Sequence, residues 1–456
     1  MVKKNNIINL LIVYFTSHFL IWVLIPTFSN SNLPLDTIEA LAWGSNLDWG
    51  FDKHPPMSAV MVELIFSIFG NNDWAYYMLS QIFVLSAIFV VWKFAKQFFK
   101  NEIYAFISVL MLSGIYFFNF TTPEFNVNVC QLPFWALTVL YSWKSLNEKK
   151  ITNWVFLGIF AAFGFLSKYI FIFLLLSLTI YFLYNFVKLK KIDNGIYVSF
   201  FIFLIIIFPH IFWLVENNFL TIKYGLSRSN AGQEILVNHF INPVVFILKQ
   251  LLILIPIFIL CFNLIKKIKF KINSRDKKFH FLFAINFIPL ILLLLISIIS
   301  GAKIRTMWMT PFYLYFPLFL IYIYQKKIDL KKINRFIFTF IFLFLLSPML
   351  YLSIAILDNT KRTDYPGREI ADLVQRKWDN NFRNEINIVV GDEWAAGNLS
   401  YHLVSRPKWF KTFEDAKNLT DLGGVVYAGN PTILKKICPG EYGTIRPIGY
   451  CMIGKR

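Results

Sequence analysis

Between residues 7 and 356 the chain reads as long apolar runs separated by short polar breaks. The runs fall at 7–26, 73–96, 102–119, 126–146, 152–167, 169–187, 194–214, 243–265, 279–300, 309–325 and 333–356. None alternates apolar and polar residues, so the pattern predicts helices rather than barrel strands. Most approach the roughly 20 residues a helix needs to cross a bilayer. A further apolar run at 57–70 is short and interrupted by Glu63. It predicts a helix lying on the membrane surface. After residue 357 the pattern changes. "EINIVVGDEW" and "GGVVYAG" predict short buried strands, and "DYPGREIADLVQRKWDNNF" carries apolar residues at helical spacing. The chain is therefore an α-helical polytopic membrane protein of about 11 spans over residues 1–357, with a small external α/β domain over 358–456.

Composition agrees with this reading. Of 456 residues, 57% are hydrophobic and 16% charged, and 51 are Phe. A soluble domain cannot hide that much apolar surface. The formal net charge of +19 would suggest nucleic acid in a soluble protein. Here the lysines sit in short loops between spans, where they set topology and meet anionic lipids, and no nucleic-acid partner is expected. With the N-terminus inside, the inner segments carry 23 Lys and Arg. The outer ones carry Lys53, Lys168, Lys223, Arg228, Lys303 and Arg305. Treating 57–70 as a span reverses every later loop and destroys this bias. The run after "MVKKNN" lacks a small-residue cleavage site and is expected to be a retained first span.

Acidic residues have no comparable topological preference. Yet Asp36, Glu39, Asp48, Asp52, Glu63, Asp73, Glu124, Glu216 and Glu234 all fall outside or at the outer edge. That crowding asks for a chemical reason. The loop at 27–72, with juxtamembrane helices, holds most of it. In "LPLDTIEALAWG", Asp36 and Glu39 share one helix face. At the edge of a low-dielectric site such carboxylates act as bases; the alternative is an N-cap Asp with a capping-box Glu. In "FDKHPPM", Pro55-Pro56 stiffen a turn that presents Asp52, Lys53 and His54 at the membrane surface. The turn either grips an anionic headgroup or is simply solvated. Lys168, in "GFLSKYIF", is pinned between two spans; it snorkels or neutralises a lipid phosphate. His210 and Glu216 lie near the outer end of a span. Lys303 and Arg305 occupy a short outer turn. Lys249, inside the eighth span, should line a cavity rather than face lipid. Each signal alone is weak. Together they put acids for a base and cations for a phosphate beside a hydrophobic groove.

Cys130 and Cys261 fall within spans and read as apolar packing. Cys438 and Cys451 lie in the external domain, where they either pair, if the outside is oxidising, or stay free. No metal-ligand spacing of Cys or His occurs.

The segments "LPLDTIEALAWG", "KHPPMSAVMVELIFSIFG", "TTPEFNVNVCQLPFWALTVLY", "GIFAAFGFLSKY", "PHIFWLVENNF" and "GREIADLVQRKW…GDEWAAGNLSYH" resemble, in this order, the bacterial branch of family 39 glycosyltransferases. This group is related to protein O-mannosyltransferases and to the aminoarabinose transferases that modify lipid A. The resemblance implies the C-type glycosyltransferase fold and a sugar donor linked to undecaprenyl phosphate. It places the enzyme in the bacterial inner membrane, N-terminus cytoplasmic and C-terminal domain periplasmic. Asp36 matches the acidic motif of the first external loop, with Glu39 as second acid, although relatives often carry adjacent Asp-Glu. His54 matches a basic residue before proline, and Lys168-Tyr169 matches a Lys-Tyr pair.

The expected reaction is inverting transfer of a monosaccharide to lipid A or another envelope glycolipid, without a metal or other cofactor. Lys53, His54, Lys168, Tyr169, Lys303 and Arg305 are expected around the donor phosphate. Asp52, Glu124, His210, Glu216 and Lys249 are further candidates. A protein Ser/Thr acceptor is the second reading. A lipid or sugar transporter is disfavoured by nearly charge-free spans and the lack of an internal repeat.

Overall fold

The computed structural model describes residues 4–190, 193–229, 235–266, 275–412 and 423–456; Glu234 lies outside them. Among the described residues, seven helices are long and apolar enough to cross a membrane alone. They are α1 (Lys4–Ser29), α4 (Asp73–Ala95), α9 (Ile172–Leu189), α10 (Gly195–Glu216), α12 (Asn242–Phe262), α13 (Lys277–Ser300) and α15 (Ile333–Leu357). The other expected spans are helical but short or broken. The run at 309–325 is a 3-10 stretch, Thr306–Tyr313, followed by α14 (Phe316–Tyr324), bent by 49°. Pro311 and Pro317 remove the backbone donors that would keep it straight. The run at 102–119 becomes α5 (Glu102–Leu110) and two 3-10 turns. The run at 126–146 becomes α6 (Val127–Cys130) and α7 (Leu132–Glu148), and α8 is Ile151–Ser167.

Tyr116, Asn128, Lys168 and Thr306, all at these breaks, line cavities. The first loop forms two helices packed on each other, α2 (Leu35–Gly44) and α3 (Met57–Phe69). At 13 residues, α3 reaches only about 20 Å, short of a span. Its outward residues Leu64 and Ile68 are exposed while Ala59 and Val62 are buried, as expected of a helix lying in the interface. Another short helix, α11 (Leu220–Ser229), follows α10.

The C-terminal unit is a five-stranded sheet in the order β2-β1-β3-β5-β4. The strands are β1 (Ile386–Gly391), β2 (Lys408–Phe410), β3 (Gly424–Gly429), β4 (Glu441–Ile445) and β5 (Ile448–Ile453). β1 pairs parallel with β2 and β3, whereas β5 runs antiparallel to β3 and β4. Two helices, α16 (Gly367–Asn381) and α17 (Ala395–His402), cover one sheet face. α16 buries Ile370, Ala371, Val374 and Trp378, the apolar stripe that its sequence spacing predicts. Cys438 and Cys451 form a disulfide, with Cα atoms 5.6 Å apart.

This unit is not an appendage. Its apolar core is continuous with Ala42, Trp43, Phe51 and Ala59 of the first loop. α17 lies directly on α2. A Cβ at Gly397 would fall 3.1 Å from Ala42 Cβ and 3.2 Å from Ile38 Cγ2, so a larger residue would push the helices apart. Buried Asn32 donates to Asn398 at 2.8 Å and lies 3.0 Å from His402 Nε2. The Ser31 and Asn32 amides both donate to the Thr363 carbonyl at 2.9 Å. Arg406 donates to Glu63 at 2.6 Å and to the Leu41 carbonyl at 2.7 Å. These bonds replace water around buried polar groups, which would otherwise be costly to bury.

Candidate functional site

The first loop and the breaks in the spans converge on a cavity of about 790 Å³. Its walls include Asp36, Glu39, Lys53, His54, Lys168, Tyr169, Lys303 and Arg305. Its apolar side includes Ile172, Phe173, Leu293 and Ile296, all from α9 and α13.

Asp36 sits in the first turn of α2, whose N-cap is Pro34. The capping-box alternative therefore fails: Asp36 is inside the helix, and Glu39 bonds to Lys53 instead. The first turn favours negative charge through the helix dipole. The Asp36 amide donates to Glu124 Oε1 at 3.0 Å, while Thr37 donates to the Phe125 carbonyl at 3.2 Å. Both bonds fix α2 against the loop at 119–126. Burial pushes the Asp36 carboxyl above its ordinary range, although Lys168 and Lys53 pull the other way. Glu124 is pushed up to about 8, first by burial and then by the neighbouring Asp36 charge.

Lys168 is placed by a sharp break in the chain. α8 ends at Ser167, and Lys168 turns extended at φ −166° and ψ 134°. Gly164 makes the fold-back feasible, since a Cβ there would lie 2.1 Å from the Phe171 ring. The Lys168 side chain is 8% exposed. Its ammonium donates to Asn128 Oδ1 at 2.6 Å and lies 5.7 Å from the Trp308 ring centre. Burial pulls its pKa down to about 7; Asp36 restores part of that and Arg305 adds to the fall. Lys168 has been given no carboxylate within ion-pair distance among the described residues.

Lys53 differs. It contacts Glu39 at 2.7 Å and Glu393 at 3.2 Å. Burial opposes its charge, but these carboxylates outweigh burial and hold its pKa above the ordinary value. Its positive charge is thus already matched. His54 lines the cavity with its ring 6.1 Å from Trp43 and 6.4 Å from Tyr224. Burial, together with Lys168, Lys53 and Arg228, pushes it down to about 3. With the cavity empty, this environment favours the neutral form of the His54 ring over the charged one.

His210 stands behind the wall. Its Nδ1 donates to the Trp49 carbonyl at 2.6 Å, which leaves Nε2 to accept the Tyr169 hydroxyl at 2.7 Å. Trp213 Nε1 donates to Asp48 at 2.7 Å, and Thr221 donates to the Phe51 carbonyl at 2.7 Å. Together these bonds clamp the first loop to α10 and α11. Gly50 packs on Trp213, where a Cβ would meet the ring at 2.4 Å.

A second cavity of about 690 Å³ adjoins the first and shares Asn128, Arg228, Lys303, Ile304, Arg305 and Met307 with it. Glu124 and Lys249 line this one, and Lys249 is exposed. Two candidates are not brought in. Asp52 pairs with Lys411 of the C-terminal unit, and Glu216 is exposed at the end of α10. Conversely, Arg228 and Arg362 line the first cavity and Glu393 reaches Lys53. Arg228 had counted only toward topology. Arg362 and Glu393 carry no local signal, being delivered by the docking of the C-terminal unit. No group of three or more His, Cys, Asp or Glu side chains is placed to hold a metal ion among the described residues.

Residues 53–213 match the sequence model of the dolichyl-phosphate-mannose-protein mannosyltransferase family. The segment contains Lys53, His54, Glu124, Lys168, Tyr169 and His210, but not Asp36 or the C-terminal unit. No curated protein matches the chain by sequence. Among solved structures it is similar to ArnT from Cupriavidus metallidurans bound to undecaprenyl phosphate. The TM-score is 0.67 at 11% identity over 97% of both chains. The same protein in the apo state gives 0.62 at 10% identity, again over 97% of both. The chain has the C-type glycosyltransferase fold. That likeness extends through the C-terminal unit, which the family match does not reach.

Proposed function

We propose that this protein is an inverting glycosyltransferase. It moves a monosaccharide from a polyprenyl-phosphate donor to lipid A or another envelope glycolipid. The observation that carries the reading is the joining of Asp36, Lys168 and Arg305 around one cavity whose other side is apolar. A polyprenyl chain needs the apolar wall, its phosphate needs the cations, and the transfer needs a carboxylate. The solved ArnT bound to undecaprenyl phosphate supports the donor class.

In this mechanism Lys168 and Arg305 neutralise the donor phosphate, and Arg362 adds to the field. The bond between the anomeric carbon and the phosphate oxygen breaks, and its electron pair leaves with the polyprenyl monophosphate. Stabilising that leaving charge is the largest electrostatic contribution. The acceptor oxygen attacks from the opposite face and forms the new bond. Asp36 takes the proton when the acceptor is a hydroxyl and positions the acceptor when it is already anionic. Lys53 holds Glu39 and the C-terminal unit in place. A monophosphate leaving group matched by lysine and arginine gives turnover that persists in EDTA. The face bearing the C-terminal unit is then the periplasmic face of the inner membrane, and the lysine-rich loops are cytoplasmic.

The test is mass spectrometry of lipid A from cells with the protein, without it, and with Asp36→Asn. The expected outcome is one sugar-sized mass absent in both the deletion and the mutant, a loss of roughly 10²–10⁴-fold in transfer. Unchanged lipid A in all three overturns this acceptor. A protein Ser/Thr acceptor is the second reading, favoured by the description of the family matched at residues 53–213. Glycoprotein profiles of the same strains decide between them.

A further inference from the structure

The hydroxyl groups around the first cavity share one orientation. Among the described residues five lie in its wall, on Tyr169, Thr221, Tyr224, Ser229 and Ser297. Four of them give their proton to the protein. Thr221 donates to the Phe51 carbonyl at 2.7 Å, Ser297 to the Ala302 carbonyl at 2.6 Å, and Ser229 to the Gly225 carbonyl at 2.9 Å. The fourth is Tyr169, and His210 sets its sense. A carbonyl only accepts, so the Nδ1 that meets the Trp49 carbonyl at 2.6 Å carries a hydrogen. His210 is fully buried and both its nitrogens bond to neutral groups, which favours the neutral ring. A neutral imidazole has a single N–H. Nε2 is therefore the acceptor, and it takes the Tyr169 proton at 2.7 Å.

The Thr221 hydroxyl also lies beside the Tyr169 oxygen. Both protons are committed elsewhere, so this corner of the cavity presents oxygen lone pairs alone. Turning the Tyr169 hydroxyl round would leave a buried Nε2 without a partner, which is costly. An ionised phosphate has no proton to give such a corner and is repelled by it. The polyprenyl chain has no polar hydrogen. The sugar does, and it is bonded directly to the phosphate that Lys168, the residue before Tyr169, is placed to meet.

We infer that Tyr169 and Thr221 read the transferred sugar, accepting a hydrogen bond from a hydroxyl or amino group on its ring, and that Tyr169 is no part of the phosphate site. This rests on the glycosyl-transfer reading. It makes the corner selective for a sugar that carries a hydrogen-bond donor at one position, and indifferent to the bare polyprenyl phosphate left after transfer. A site built to bond such a group rejects an analogue that lacks it, because its own polar atoms are then left unpaired.

The test uses the full-length protein in phosphatidylcholine nanodiscs. The probe is the polyprenyl-phosphate fraction extracted from the deletion strain, which contains bare undecaprenyl phosphate and its sugar-bearing forms. Mass spectrometry reads what each protein retains at equilibrium. The wild type should enrich one sugar-bearing form over its share of the extract. Tyr169→Phe and Thr221→Val should each lower that enrichment at least tenfold and keep bare undecaprenyl phosphate within twofold, which also shows that the variants fold. Thr221→Ser keeps the oxygen and should keep the enrichment. The mass of the retained lipid tells an amino sugar from a neutral one. The inference is overturned if Tyr169→Phe loses both forms alike, which returns Tyr169 to the phosphate, or loses neither. It is overturned equally if Thr221→Ser fails as Thr221→Val does, or if the wild type holds the bare lipid and no sugar-bearing form. A wild type that holds neither lipid sinks the donor reading itself.

Discussion

Two lysines share the first cavity, and the protein treats them in opposite ways. Lys53 is half-buried and held between two carboxylates, Glu39 at 2.7 Å and Glu393 at 3.2 Å. Lys168 is almost fully buried, and among the described residues its hydrogen-bond partner is a neutral amide, Asn128 Oδ1 at 2.6 Å. A buried charge left without a counter-ion is destabilising, and a fold retains one where it does something else. Lys53 therefore joins parts of the molecule, tying the first loop to the C-terminal unit. Lys168 carries a charge that an anion entering the cavity would match.

The sharpest way to break this comparison is to remove each charge in turn. Lys168→Met should reduce transfer roughly 10²–10³-fold, the range for losing one preorganised charge-stabilising group. The variant should still be inserted and bind detergent normally. Steady-state transfer from a polyprenyl-phosphate sugar measures it. A loss under threefold would mean that Lys168 is only a snorkelling lysine.

Titration sharpens the same point. Burial sets the empty-site Lys168 midpoint at about 7. The ammonium is present below that pH and is lost above it. Donor phosphate binding should thus weaken as pH rises, by up to about tenfold per unit once well past the midpoint. Binding the phosphate raises the midpoint and takes up a proton. Lys168→Arg cannot deprotonate in this range, so it should flatten the profile. Undecaprenyl phosphate affinity of wild type and Lys168→Arg, measured from pH 6 to 8.5, checks this. The phosphate's own ionisation cancels in their ratio. Lys53, whose pKa is held above the ordinary lysine value, contributes no change over that window.

Removing the other lysine should cost less. Glu393→Gln and Lys53→Met should each lower transfer only a few-fold, and the double variant should lose little more than the worse single. Additive losses would mean that the two act separately. Glu393 is a positioning residue here, so its effect should fall on kcat as α2 shifts, with Lys168-dependent pH behaviour unchanged.

How much of this was legible in the sequence follows from where the signals are stored. Apolar runs and lysine placement are local and cumulative, so the helical segments, the short α3 among them, could be read directly. Asp36, Lys168 and Lys249 were legible because an ionised residue in or beside an apolar run breaks a strong pattern. Broken spans were harder: a run such as 309–325 stays apolar through its bend, and only Pro311 and Pro317 mark it. Glu393 and Arg362 were invisible, because each sits in an ordinary polar segment more than 300 residues along the chain from Lys53. What brings them to the cavity is the seating of α17 on α2 at Gly397, and a tertiary contact of that kind leaves no period in the sequence. The Asp36–Glu39 spacing misled in one respect, since it fits a capping box that Pro34 at the N-cap excludes.

The smallest expected effect tests whether nearness to the cavity, rather than membership of the C-terminal unit, is what matters. The sheet has two sides. β1 leads into the turn that carries Glu393, and neighbouring β2 lies against α2, with the Trp409 amide donating to Ser45 Oγ at 2.8 Å. β4 forms the opposite edge, beyond β3 and β5. The Cys438–Cys451 disulfide ties that far edge, joining the segment before β4 to β5. A bridge closing a loop of about 15 residues contributes roughly 3 kcal/mol by restricting the unfolded chain. Replacing both cysteines with serine should therefore lower the thermal stability of the C-terminal unit yet leave transfer within twofold at a temperature where it stays folded. Thermal unfolding and transfer assays on one preparation report both quantities. A loss of transfer as large as that of Glu393→Gln, without unfolding, would mean that the whole sheet, and not only the edge seated on α2, sets the geometry around Lys53.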